Sequence, residues 1–329
     1  MFGYIMRRVL LMIPTLFLVS IISFVAIQLP PGDYLTAYVS TLRTQGDNIE
    51  QEAIAFMREQ YGLGQPIYVQ YGKWITGILF RGDWGISMEW QKPVRELIWE
   101  RLGLTVVLSL VSLFVSWFIA IPVGVYSATH QYSIPDYLMS IISFVGVGVP
   151  GFLLALIIMY FAQTKLNLNV GGLFSEKYIL APWNWDKVVD MFKHLWIPVI
   201  ILAVESTAGG IRTTRANLLD ELPKPYVELA RAKGLTESSL IWKYPVRVAL
   251  NPFFSTVGWS LANLISGATL ISVVLSLQTT GPMQLRALMS QDMYLAGSFL
   301  LLLSCLTVIG TLVSDILLAW VDPRIRLEA

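Results

Sequence analysis

Apolar residues in this chain gather in long blocks of about twenty, the length that carries a helix across the hydrocarbon core of a bilayer. Six blocks are predicted as spans: residues 9–29, 105–128, 137–163, 196–216, 253–276 and 297–320. Gly146, Gly148, Pro150 and Gly151 interrupt the third without excluding it, because neighbouring helices satisfy the backbone groups such residues free. That stretch is expected to serve packing or a kink rather than a binding loop. In the fifth block, Ser266, Gly267 and Ala268 permit close helix packing. The fold class is therefore an all-α polytopic membrane protein.

Two longer polar segments separate these blocks. Residues 30–104 form a predicted extracytoplasmic segment, with a helix over Ile49–Tyr61 and turns at Gly62, Gly64 and Pro66. Residues 217–251 form a loop far longer than a simple reversal of the chain needs. The organisation that follows is an N-terminal span over 1–29, the inserted segment 30–104, and a five-helix core over 105–329. No internal repeat or low-complexity segment is visible.

Charge placement gives the orientation, since basic residues accumulate on the cytoplasmic side. Arg7 and Arg8 precede the first block, seven basic residues lie between Arg212 and Arg247, and Arg324 and Arg326 follow the last. Residues 30–104 hold seven basic against nine acidic residues, and 277–296 hold only Arg286 and Asp292. Both termini are expected on the cytoplasmic side of the membrane. The first block has 21 residues and is followed by Pro30-Pro31-Gly32-Asp33 rather than a small-x-small cleavage site, so it is expected to stay as a span.

Composition agrees: 55% of residues are hydrophobic and 14% charged, where a soluble domain carries about a quarter charged. A net charge of +1 suggests no nucleic-acid partner. Cys305 is the single cysteine, so no intrachain disulfide forms. His130 and His194 lie far apart, without metal-ligand or His-Glu-x-x-His spacing. Nor is there a Gly-x-x-x-x-Gly-Lys-Ser/Thr phosphate loop, so the chain is not itself an ATPase and no catalytic, cofactor or metal residue is assigned. A secondary transporter would show matching halves with broken helices, which are not evident.

The 217–251 loop carries the chemistry of contact. Pro225 opens a short predicted helix containing Glu228, Ala230, Arg231 and Lys233, and Gly234 stops it as a left-handed cap. Thr236 or Ser238 caps a second helix through Trp242 towards Val248. Glu228-x-Ala230-x-x-x-Gly234 resembles the EAA motif of binding-protein-dependent ABC permeases, with Leu229 where the motif has alanine. Arg7-Arg8 with Ile13-Pro14-Thr15, Leu29 to Asp33, Tyr61-Gly62-Leu63-Gly64, Gly82-Asp83-Trp84-Gly85 and Asp322-Pro323-Arg324-Ile325-Arg326 are similar, in order, to the oligopeptide/dipeptide permease family.

The resemblance implies a type I importer (MetI-like) permease fold, with the loop as a coupling helix in which Glu228, Ala230, Arg231 and Gly234 engage an ATPase subunit. It implies partners: a second homologous permease, two ATPase subunits that bind the ATP and Mg, an extracytoplasmic solute-binding protein and membrane lipid. The cargo would be peptides. Residues 275–282 depart from the family's usual aromatic-Pro-Gly-Leu-Gly segment, which leaves oligosaccharides as an alternative cargo.

Several single residues stand out. Glu205 lies seven residues before Arg212 and on nearly the same helix side, placing both on the translocation path or in a polar pairing inside the bundle. Asp315 is expected to bond another helix. Trp74, Trp84 and Trp90 are expected at the outer interface, with a cradle for released solute as the other use.

Overall fold

The computed structural model describes residues 2–28, 65–166, 171–179 and 181–321. The helix predicted over Ile49–Tyr61, with Gly62 and Gly64, lies outside the described residues. The first apolar block forms α1 (Phe2–Gln28). Beyond it α2 (Ile67–Thr76) begins after Pro66, tightens into one π turn over Gly77–Arg81 and stops at Gly82, whose φ is 63°.

The second block is the core of a longer helix, α3 (Val94–Thr129). Its 36 residues make about 54 Å at 1.5 Å per residue, well beyond a hydrocarbon thickness of about 30 Å. It runs unbroken through the boundary that sequence reading placed between 104 and 105. The third block, read as one span, is two helices. α4 (Ile134–Gly148) and α5 (Gly151–Leu166) meet at an angle of 103°. Val149 is extended, as a residue before proline prefers, and Pro150 then opens α5 through its carbonyl, which accepts from Leu153 and Leu154.

α6 (Trp185–Glu221) has 37 residues and is capped by Asn184, whose Oδ1 accepts from Lys187 N at 2.8 Å. It overruns the 217 boundary of the predicted loop. Three short helices follow: α7 (Pro225–Ala232), α8 (Glu237–Lys243) and α9 (Pro245–Ala249). Pro245 divides the second predicted loop helix in two. α10 (Asn251–Val274), α11 (Thr280–Met289) and α12 (Met293–Val321) complete the described chain. α1, α3, α10 and α12 are long and apolar enough to cross a membrane, and the bent pair makes a fifth candidate. α6, the fourth span of the sequence count, is not among them.

α3 and α6 form the central pair. They approach closely where side chains are small, Ala120 and Gly124 on α3 meeting Gly210 and Thr214 on α6. Leucine and isoleucine side chains from α3, α6 and α10, including Leu108, Ile201 and Leu264, fill the main core with α5. A second core joins Val94, Leu97 and Ile98 of α3 to Met283 of α11 and Phe299 of α12. Buried Asp292 fastens the 82–92 loop to the start of α12, its carboxylate accepting from Ser87 Oγ at 2.5 Å, Glu89 N at 3.1 Å and Leu295 N at 3.2 Å. Burial raises its pKa above the ordinary carboxylate value.

α10 and α12 cross at Gly258 and Gly310, so closely that a Cβ placed on Gly258 would lie 2.0 Å from the Gly310 carbonyl carbon. Gly258 N also donates to Ser314 Oγ at 2.8 Å. α1 runs antiparallel to α12. Arg8, near its start, pairs with Asp315 at 3.0 Å, while Phe24 near its end packs with Leu301. Asp315 thus joins two helices through an ion pair. Trp74 is a core residue, 5% exposed against Phe24 and Tyr71. Trp84 and Trp90 pack partly buried on the second core, and Arg286 stacks over Trp90 at 5.2 Å. Folding gives each of the three an apolar neighbour.

Candidate translocation path and coupling element

One face of α6 is unlike the rest of the bundle. Glu205, Gly209, Arg212, Thr213 and Ala216 recur at helical spacing along it. Glu205, Arg212, Thr213 and Ala216 are exposed in the single chain. A charge in lipid costs about 2.5–3.5 kcal/mol even on insertion scales. This face therefore meets water, solute or protein rather than acyl chains.

Two cavities open along it. The first, about 970 Å³, is walled by α3, α6 and α10, with Glu205, Ser206, Thr256, Ser260 and Asn263 among its polar lining and Trp117, Phe253 and Trp259 among its aromatic lining. The second, about 770 Å³, lies between α4 and α6 and is lined by Tyr132, Tyr137, Phe144, Arg212 and Arg215. Gly209 and Thr213 line both. Glu205 and Arg212 share a helix side, as predicted, but they serve different cavities and do not pair with each other. Arg212 instead lies over the Phe144 ring, 4.8 Å from its centre.

Sequence reasoning missed the charged cluster at the end of the second cavity nearer the 217–251 loop. Asp136, 2% exposed, receives Arg215 Nε at 2.9 Å and Nη2 at 3.0 Å, the Ser127 hydroxyl, and Tyr132 N at 3.0 Å. This planar two-pronged pairing ties the α3–α4 connection to α6. A faint signal was present, because Ser133 three residues before Asp136 is a helix-start spacing, and Ser133 Oγ does accept from Asp136 N at 3.3 Å. Nothing local points from Asp136 to Arg215.

At its end α6 turns into the loop through a second polar knot. Glu221 accepts from Lys224 Nζ and from Tyr226 Oη, each at 2.5 Å. Burial and the neighbouring Glu221 carboxylate push the Tyr226 hydroxyl pKa upward. Pro225 starts α7, and its inward positions Val227 and Ala230 pack with Leu240 of α8. Glu228 and Leu229 point outward, exposed. Ala230 is buried at 5% exposure, so it holds the helix pair together from inside and contributes nothing to an outer surface.

The turn after α7 is made by Gly234, with φ 78°, a left-handed conformation that glycine adopts without strain. Arg231 reaches across it, Nε at 2.5 Å and Nη2 at 3.2 Å from the two Glu237 carboxylate oxygens. That hydrogen-bonded pairing holds the Glu237 carboxyl below its ordinary pKa. Arg231 thus braces the turn, a partner for it that sequence reading did not name.

Comparison with known proteins places this architecture. Residues 120–327 match the family described as binding-protein-dependent transport system inner membrane component, and residues 1–111 match the N-terminal part of the same kind of membrane component. The chain belongs to this family. As a family member it is a multi-pass inner-membrane permease component and not an ATPase. It is 36% identical to the oligopeptide transport system permease protein AppB of Bacillus subtilis (strain 168), over 99% of this chain and all of that one. It is 32% identical to the dipeptide transport system permease protein DppB of Alkalihalophilus pseudofirmus, again over 99% of this chain and all of that protein. A chain of the inward-facing MetNI methionine ABC transporter is similar in fold, with TM-score 0.51 and 18% identity over 69% of this permease and 97% of that chain.

Proposed function

We propose that this chain is one membrane subunit of an ATP-driven importer of short peptides delivered by an extracytoplasmic binding protein. The observation that carries it is the continuity of α6. One helix lines both cavities and ends at Glu221, whose bonds to Lys224 and Tyr226 fix the corner leading into α7. A push on α7 is therefore delivered to the wall of the path. The oligopeptide and dipeptide permeases with which the chain aligns end to end support peptides as the cargo.

Energy comes from two separate ATPase subunits, which hold the ATP and Mg. A second, homologous permease closes the exposed face of α6. Glu228 and Leu229 form the outer surface of α7 that an ATPase engages, while Arg231 and Gly234 set the turn behind it. The Arg8–Asp315 pair supports both termini lying at the end of the bundle that carries the loop, on the cytoplasmic side.

The test is peptide-stimulated ATPase activity of the full assembly in lipid. Glu228→Arg combined with Gly234→Pro places a wrong charge on α7 and forces a negative φ at its turn. Such backbone strain is worth roughly 1–3 kcal/mol, so stimulated activity is expected to fall about tenfold or more while the spans still assemble. Stimulation that survives the double change would remove the coupling role of α7.

A further inference from the structure

The two charges on the path face of α6 lie in two neighbouring cavities, about two turns apart along the helix. Glu205 lines only the first cavity and Arg212 only the second, and Gly209 and Thr213 stand in the walls of both. Neither charge makes an ion pair among the described residues. Arg215, the other cation of the second cavity, is neutralised by Asp136. Arg212 is steadied by the Phe144 ring, which orients a cation without cancelling its charge.

Their spacing is specific. Seven residues of α-helix rise about 10.5 Å and return to within about 20° of the same side. An extended peptide covers roughly 3.3–3.6 Å per residue, so about three residues bridge that distance. We infer that Glu205 and Arg212 read the two ends of a short zwitterionic peptide, the carboxylate holding its terminal ammonium and the guanidinium its terminal carboxylate. Charge-assisted bonds of this kind are short and about twice as strong as neutral ones, and the planar guanidinium matches a carboxylate with two prongs. Because Arg212 is nearer the coupling-loop end, the peptide lies with its carboxyl end leading. An uncharged saccharide presents neither group and gains nothing from these two charges. The inference rests on the peptide reading and adds the two residues that sort peptides by their ends.

The experiment measures uptake of tri-alanine, N-acetyl-tri-alanine and tri-alanine amide into proteoliposomes holding the whole assembly. The variants are Glu205→Gln, Arg212→Gln and the charge-preserving Glu205→Asp and Arg212→Lys. The binding protein is common to every arm, so its own selectivity cancels in the ratio of variant to wild type. Glu205→Gln is expected to shrink the preference for free over N-acetylated peptide by about tenfold, leaving the preference over the amide as in wild type. Arg212→Gln does the reverse, and the charge-preserving variants keep both preferences. Overturning results are wild-type ratios in both glutamine variants, or equal losses for all three peptides, the sign that the charges pair with the second permease. Wild-type assembly that imports none of the three while hydrolysing ATP would instead remove the peptide reading itself.

Discussion

Gly258→Leu is expected to yield no folded protein, and Gly258→Ala to lower the midpoint of thermal unfolding in detergent markedly. A Cβ at this position would lie 2.0 Å from the Gly310 carbonyl carbon, 2.3 Å from its oxygen and 2.3 Å from Thr311 N. Ordinary carbon contacts sit at about 3.5–4.0 Å, and these neighbours are backbone atoms that no rotamer change can move aside. α10 and α12 would have to separate by more than an ångström, breaking the Gly258 N–H bond to Ser314 and loosening the packing around it. Overpacking of this kind costs about 1–3 kcal/mol, and more when the obstruction is rigid. Gly103→Ala is the control, because a Cβ there meets nothing within 4 Å and alanine gains about 0.5–1 kcal/mol over glycine inside a helix. Equal melting of the two alanine variants would show that the helices do not cross at Gly258.

Asp136→Ala is expected to destabilise the permease by about 3–5 kcal/mol, the loss typical when one partner of a buried ion pair is removed. The side chain of Asp136 is 3% exposed and that of Arg215 29%. The change therefore leaves a guanidinium partly enclosed without its carboxylate, and it strips the Ser127 hydroxyl and the Tyr132 N–H of their acceptor. Replacing both members, Asp136→Leu with Arg215→Met, is expected to recover much of the loss, since no uncompensated charge remains. Denaturant titration of Asp136→Leu, of Arg215→Met and of the double gives the coupling energy directly. Strictly additive losses would mean that the pair contributes nothing as a pair.

Much of this architecture was legible in the chain because it is encoded locally. The apolar blocks located α10 and α12, and the end of α1, to within a few residues, since the bilayer demands a run of fixed length. Pro225 and Gly234 bounded α7 because each restricts its own backbone. The helical period alone set Glu205 and Arg212 on one side of α6. What stayed hidden depends on distant partners. Asp136 and Arg215 are 79 residues apart, and neither has a local reason to seek the other. The burial of Trp74 likewise depends on α1 and α12, which supply Phe24 and Leu301 around it.

The break in the third span lies between these cases. Gly146, Gly148, Pro150 and Gly151 announced a weak point, but the 103° angle is set by neighbours: Gly146 lies against Ala208 of α6 and Gly151 against Ile271 of α10. The burial of Ala230 was hidden for a related reason, since a motif names residue types and not the side of the helix they occupy.

That bend also changes what the third span can transmit. A straight rod passes a push along its axis, whereas a sharp elbow passes it only as rotation about the joint. α4 is clamped to α6 through Asp136 and Arg215, while α5 abuts α10 at Ile271. On the proposed coupling, a displacement arriving from the loop would carry α4 and α6 together as one lever. α5, packed against both α6 and α10, lies beyond the joint and would take that push only as turning.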